Sequence, residues 1–84
     1  MTNAQDQDMT PYALAKKLNV PRTRIERIVA GKTGITSDTA LRLAKFFKTA
    51  PQFWMNLQNS FDLKVEAKRL GDELELIKEY QSAA

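Results

Sequence analysis

The chain has 84 residues, 43% apolar and 27% charged, with a formal net charge of +3, and that length supports one domain with a modest core. It contains no cysteine and no histidine, which excludes a disulfide framework, a thiolate metal site and any Ser–His triad, and no cofactor is expected. No apolar run approaches the ~20 residues of a membrane span and the first ten residues lack a signal-peptide pattern, so a soluble, cytoplasmic protein is the expectation.

Residues 1–9, "MTNAQDQDM", form a short polar N-terminal segment. Thr10-Pro11 then reads as an N-cap followed by proline at the first helical position, where its missing N–H costs nothing. Leu14, Ala15 and Leu18 share one face of that helix, with Lys16 and Lys17 turned outward. Asn19-Val20 breaks the pattern. Pro21 opens a second helix that runs to Ala30, with Gly31 placed to stop it. "KTGIT" is a loop, and Thr36 caps a third helix from Ser37 to about Lys48. Ala40, Leu41, Leu43, Ala44 and Phe47 form its apolar stripe.

Thr49-Ala50-Pro51-Gln52 matches a T-x-x-Q capping box and predicts a fourth helix. On it Phe53, Leu57 and Phe61 recur at i, i+4 and i+8, with Trp54 beside them, and aromatics at that spacing in so small a chain read as core. From Leu63 to Tyr80, the residues Leu63, Ala67, Leu70, Leu74 and Ile77 keep 4-3-4-3 spacing, a heptad seam interrupted by Gly71. That C-terminal amphipathic helix, residues 65–84, either folds back on its own domain or is shared with a second subunit.

Charge is unevenly spread. Residues 11–48 carry nine bases against Glu26 and Asp38, a net +7, whereas residues 1–10 and 49–84 each carry −2. A basic block followed by an acidic one fits a polyanion-binding half joined to a different interaction surface. "AGKTG" is not a phosphate loop, because Glu26 stands where the first glycine is required and a helix, not a strand, precedes it. The C-terminal carboxylates lie among lysines at i+3 and i+4, with nothing to bury a pair, so no catalytic function is expected.

The spacing of Leu14-Ala15, Leu18-Asn19-Val20, Ile25 and Ile28 predicts a helix–turn–helix, with Ala15 admitting the second helix and Asn19 tolerating the turn. At 100° per residue, Pro21, Ile25, Ile28 and Val29 gather on one side of the second helix. Thr23 and Arg27 point directly away, flanked by Ala30, Glu26 and Arg24, with Arg22 long enough to join them. Such a helix suits the DNA major groove, where arginine pairs bidentately with guanine.

The stretch from residue 10 to 64 resembles the HigA-type antitoxins of the Xre-like helix–turn–helix family. The helix–turn–helix itself is generic to phage-type repressors. The specific part is G-K-x-G-I-T (Gly31 to Thr36), A-L-R-L-A (Ala40 to Ala44) and P-x-F-W-x-N-L-Q (Pro51 to Gln58). The resemblance implies an all-α, phage-repressor-like bundle of about five helices, with the first reduced or missing, since only the polar segment 1–9 precedes Thr10. It implies an antitoxin that neutralises a RelE-like (HigB-type) ribosome-dependent mRNA-cleaving toxin and, as a homodimer, represses its own operon at an inverted-repeat operator. By position, Arg22, Thr23 and Arg27 are implied to read bases, and Thr10, Arg24, Lys32 and Thr33 to contact phosphates. Phe53, Trp54, Leu57 and Phe61 are implied to serve as core or dimer contact. The alternatives are a stand-alone repressor of the same fold, without a toxin partner, and a structural helical adaptor whose basic face binds no DNA.

Overall fold

The computed structural model describes residues 9–81. Among these the chain forms four α-helices and a 3₁₀ helix: α1 Pro11–Leu18, α2 Arg22–Val29, α3 Ser37–Phe47, α4 Pro51–Leu70, and the 3₁₀ turns Gly71–Leu76. The expected all-α helix–turn–helix bundle is what forms. The reduced or missing first helix falls on residues that lie mostly outside the described ones.

Local chemistry explains most helix boundaries. The Thr10 hydroxyl accepts a hydrogen bond from the Ala13 N–H at 3.1 Å, and Pro11 occupies the first turn of α1. Asn19 ends the helix in the left-handed conformation (φ 65°), so that Val20 N–H reaches the Ala15 carbonyl at 3.0 Å and Asn19 N–H that of Lys16 at 3.2 Å. That pair of bonds satisfies carbonyls the helix leaves open. Gly31 (φ 75°) does the same for α2, with Lys32 N–H donating to the Arg27 carbonyl at 2.8 Å and Gly31 N–H to that of Ile28 at 3.0 Å. Thr36 caps α3 by accepting from Thr39 N–H at 3.3 Å. Lys48 closes it at φ 59°.

The capping box expected at Thr49 does not form. Proline at the first position of α4 makes Ala50 the N-cap, without a side-chain cap bond. Thr49 therefore stands one residue too early to reach the first free N–H groups, and its hydroxyl instead accepts from Trp54 Nε1 at 2.7 Å.

The core gathers Ala15 and Leu18 of α1, Ile25 of α2 and Leu43 of α3, against which Leu14, Val20, Ile35, Phe46 and Trp54 pack. Ala40, Ala44 and Thr39 are also buried. Three expectations are corrected here. Val29 is 70% exposed and Leu41 59%, and of the two adjacent phenylalanines it is Phe46, not Phe47, that packs on the core. Phe53, Leu57 and Phe61 are exposed by 49%, 50% and 62%, so among the described residues they do not form core. Trp54 is half-buried and links core to surface, 5.7 Å from the Phe47 ring and 5.1 Å, edge-on, from that of Phe53.

The separate C-terminal helix is also corrected. Residues 65–70 belong to α4, and Gly71 (φ 53°, ψ −123°) then breaks the α-helix. The 3₁₀ turns that follow have three residues per turn, which rotates Leu74 off the line of Leu63, Ala67 and Leu70. Ile77 lies beyond any helix, and residues 82–84 lie outside the described ones. The outer half of α4 and these turns extend the molecule to 63 × 29 × 26 Å.

Candidate nucleic-acid interface

The outward face of α2 is built by burying the opposite one. Ile25 is buried and Ile28 half-buried, which turns Thr23, Glu26 and Arg27 into solvent. Arg22, in the first turn, joins them: its Nε lies 3.3 Å from Glu26 Oε2, and its guanidinium sits 5.8 Å from the centre of the Tyr12 ring. Lys16 Nζ approaches the same ring at 5.6 Å. The start of α1, with Thr10 and Tyr12, thus meets the start of α2. At the other end of α2, Arg27 and Thr33 line a common cleft with Ile28 and Gly34. Lys32 lines the neighbouring one, with Val29, Gln58 and Phe61. Thr10 serves foremost as the cap of α1, and Lys32 and Thr33 are exposed in the loop after α2.

Arg24 is drawn into a different arrangement. Its Nη1 donates to Asp38 Oδ1 at 2.6 Å, and Arg42 Nε donates to the same oxygen at 2.7 Å. Arg42 then reaches across 24 residues to the Leu18 carbonyl at 3.0 Å, with Asn19 O at 3.3 Å. The hydrogen bonds from Arg42 and then Arg24 hold the Asp38 carboxyl below its ordinary value. One carboxylate of α3 thereby ties α2 to the turn between α1 and α2. This pair competes with the phosphate contact expected of Arg24.

The loop before α3 is tied to α4 in the same manner. Gln58 Oε1 accepts from Ile35 N–H at 2.8 Å, and Gln58 Nε2 donates to Asp62 Oδ1 at 2.8 Å. Gly34 makes room for that amide, since a Cβ there would lie 2.9 Å from Gln58 Cδ and Nε2. The glycine in the loop and the glutamine of "NLQ" are two ends of one contact.

Sequence reasoning assigned no contact or role to Tyr12, Asp38, Arg42 or Gln58. The i, i+4 spacing of Asp38 and Arg42 was the one local signal among them. The other contacts join residues far apart in the chain. Among the described residues no group of three or more acidic side chains is placed to hold a metal ion, and no helix is long and apolar enough to cross a membrane.

Comparison with known proteins accords with this geometry. The helix–turn–helix family model matches residues 4–54, more than half of the chain. Virulence-associated protein I of Dichelobacter nodosus is 47% identical over 57 residues, 68% of this chain and 53% of that protein. The structure of an addiction module antidote protein of a HigA family from Coxiella burnetii matches with a TM-score of 0.85 at 45% identity, over 92% of this chain and 84% of that one. Pseudomonas aeruginosa antitoxin HigA, solved with the higBA promoter, matches with a TM-score of 0.82 at 36% identity, over 93% and 85%. The chain spans about half the length of the curated relatives it matches. Its match to the family model and its likeness in fold and sequence to those antitoxins place the chain in the Xre-like helix–turn–helix family, among proteins of the HigA antitoxin type.

Proposed function

We propose that this chain is the DNA-binding antitoxin of an addiction module. It represses its own operon as a dimer on an inverted-repeat operator, and it neutralises a RelE-like toxin that cuts messenger RNA on the ribosome. The observation that carries the reading is the outward face of α2, where Arg22, Thr23 and Arg27 stand exposed on a helix held from behind by Ile25 and by the Arg24–Asp38 pair. In the major groove the two arginines and Thr23 read base edges, while Thr10, Lys32 and Thr33 take phosphates that set the register. The Coxiella protein's designation as an addiction module antidote and the Pseudomonas protein's structure with a promoter support the same reading.

One α2 helix reads too few base pairs for useful specificity. Two, related by a two-fold axis, read half-sites ~34 Å apart. The exposed stripe of Phe53, Leu57, Phe61 and Val65 on α4 supplies the apolar surface for that pairing.

The test is a variant with both Arg22→Ala and Arg27→Ala. Each lost arginine–guanine pair removes ~1–3 kcal/mol of discrimination, so the double variant no longer binds the DNA upstream of its own coding sequence more tightly than random duplex. Supplied in trans to cells that express the neighbouring toxin from an independent promoter, it still restores growth. Operator binding without any rescue by the parent protein marks a stand-alone repressor. A parent protein that does not prefer its own upstream DNA refutes the reading.

A further inference from the structure

The outward face of α2 holds one group that a polyanion-binding surface does not call for. Glu26 is a carboxylate within the +7 segment, and the other acid of that segment, Asp38, is taken up by two arginines. Its side chain is 48% exposed and faces the same way as Thr23 and Arg27, about one helical turn from Arg22. A carboxylate there repels every phosphate backbone equally, so it lowers affinity for all DNA unless it gains a specific partner.

Base edges in the major groove offer few such partners. Guanine N7 and O6, adenine N7 and thymine O4 are acceptors and repel a carboxylate. Donors are the amino groups of cytosine N4 and adenine N6, and adenine's lies beside its own N7 acceptor. Cytosine is the base whose major-groove edge offers a carboxylate a donor with no adjacent acceptor. The contact between Arg22 Nε and Glu26 Oε2, at 3.3 Å, sets the carboxylate beside the guanidinium, so a cytosine taken by Glu26 would neighbour the guanine taken by Arg22. It leaves the terminal nitrogens of Arg22 free for guanine O6 and N7, and the Tyr12 ring under the guanidinium limits its swing.

Resting on the reading of α2 as the groove-reading helix, we propose that Glu26 is a specificity-determining residue of the operator complex: it accepts from the N4 amino group of a cytosine within one base step of the guanine taken by Arg22. The bland role for Glu26 is an ordinary i, i+4 partner on an exposed helix. That role predicts no effect on base preference.

The experiment selects duplexes from a randomised pool with the full chain and its Glu26→Ala and Glu26→Gln variants, followed by competition binding at one fixed salt concentration. The parent protein is expected to prefer cytosine at one position of each half-site by about tenfold. Glu26→Ala flattens that position and leaves the other positions unchanged. Glu26→Gln moves the preference towards adenine, whose N6 and N7 a side-chain amide pairs bidentately. Variants that keep the parent's base ranking while binding all duplexes more tightly overturn the proposal and leave Glu26 as a charge alone. A parent protein without any base preference overturns both this inference and the DNA-reading function beneath it.

Discussion

Replacing Gly34 by alanine tests the tie between the loop and α4. The new Cβ would lie 2.9 Å from Gln58 Cδ and Nε2 and 3.2 Å from Oε1, inside ordinary van der Waals distance. The amide must retreat, and its 2.8 Å bond from Ile35 N–H is lost. A partly buried N–H left without a partner costs ~1–3 kcal/mol. Against this, alanine restricts the unfolded chain and returns ~0.4–1 kcal/mol. The net expectation is a loss of ~1 kcal/mol, or about 4–8 °C in Tm for a domain of this size. The discriminating comparison repeats the substitution in a Gln58→Ala background, where the bond is already gone and no amide stands in the way. There Gly34→Ala should stabilise by ~0.4–1 kcal/mol, the opposite sign. Urea unfolding followed by Trp54 fluorescence, at one fixed protein concentration, measures all four proteins. Equal destabilisation by Gly34→Ala in both backgrounds would refute the contact as the reason for glycine.

Trp54→Ala removes a ring packed on the core and its bond to Thr49, and should cost ~3 kcal/mol, weakening every activity together; a variant as stable as the parent that lost one partner would make Trp54 an interface residue instead. Asp38→Asn should lower Tm at pH 7. Because the arginines hold the folded carboxyl below its ordinary 3.8, their contribution is present above that pH and disappears as pH falls through the lower folded value. The gap between variant and parent should therefore close in acid, and a gap constant from pH 7 to pH 2 counts against the Arg24–Asp38–Arg42 arrangement. Leu57→Asp should leave the chain folded by circular dichroism yet monomeric by sedimentation, since the side chain is half exposed; an unchanged dimer would remove the α4 stripe from the interface.

The first three helices, their stops and the helix–turn–helix were legible in the sequence because each depends on groups within a few residues. Thr10 and Thr36 cap N–H groups three positions on. Asn19 and Gly31 supply the left-handed backbone at a helix end. The outward placement of Thr23 and Arg27 also followed from sequence, since burying Ile25 fixes the rest of so short a helix. Tertiary structure alone decided which apolar residues are covered. Periodicity places Phe53, Leu57 and Phe61 on one face of α4, yet whether that face meets protein depends on how many helices lie beside it. In a bundle this small, Leu43, Phe46 and Trp54 already pack on the core, and among the described residues the stripe stays exposed. Local pattern likewise could not pair Arg42 with the Leu18 carbonyl or Gln58 with Ile35, because those groups meet only after the turns between them are set. A residue's helical neighbours are written in the chain; the surface opposite it is created by the folding of everything else.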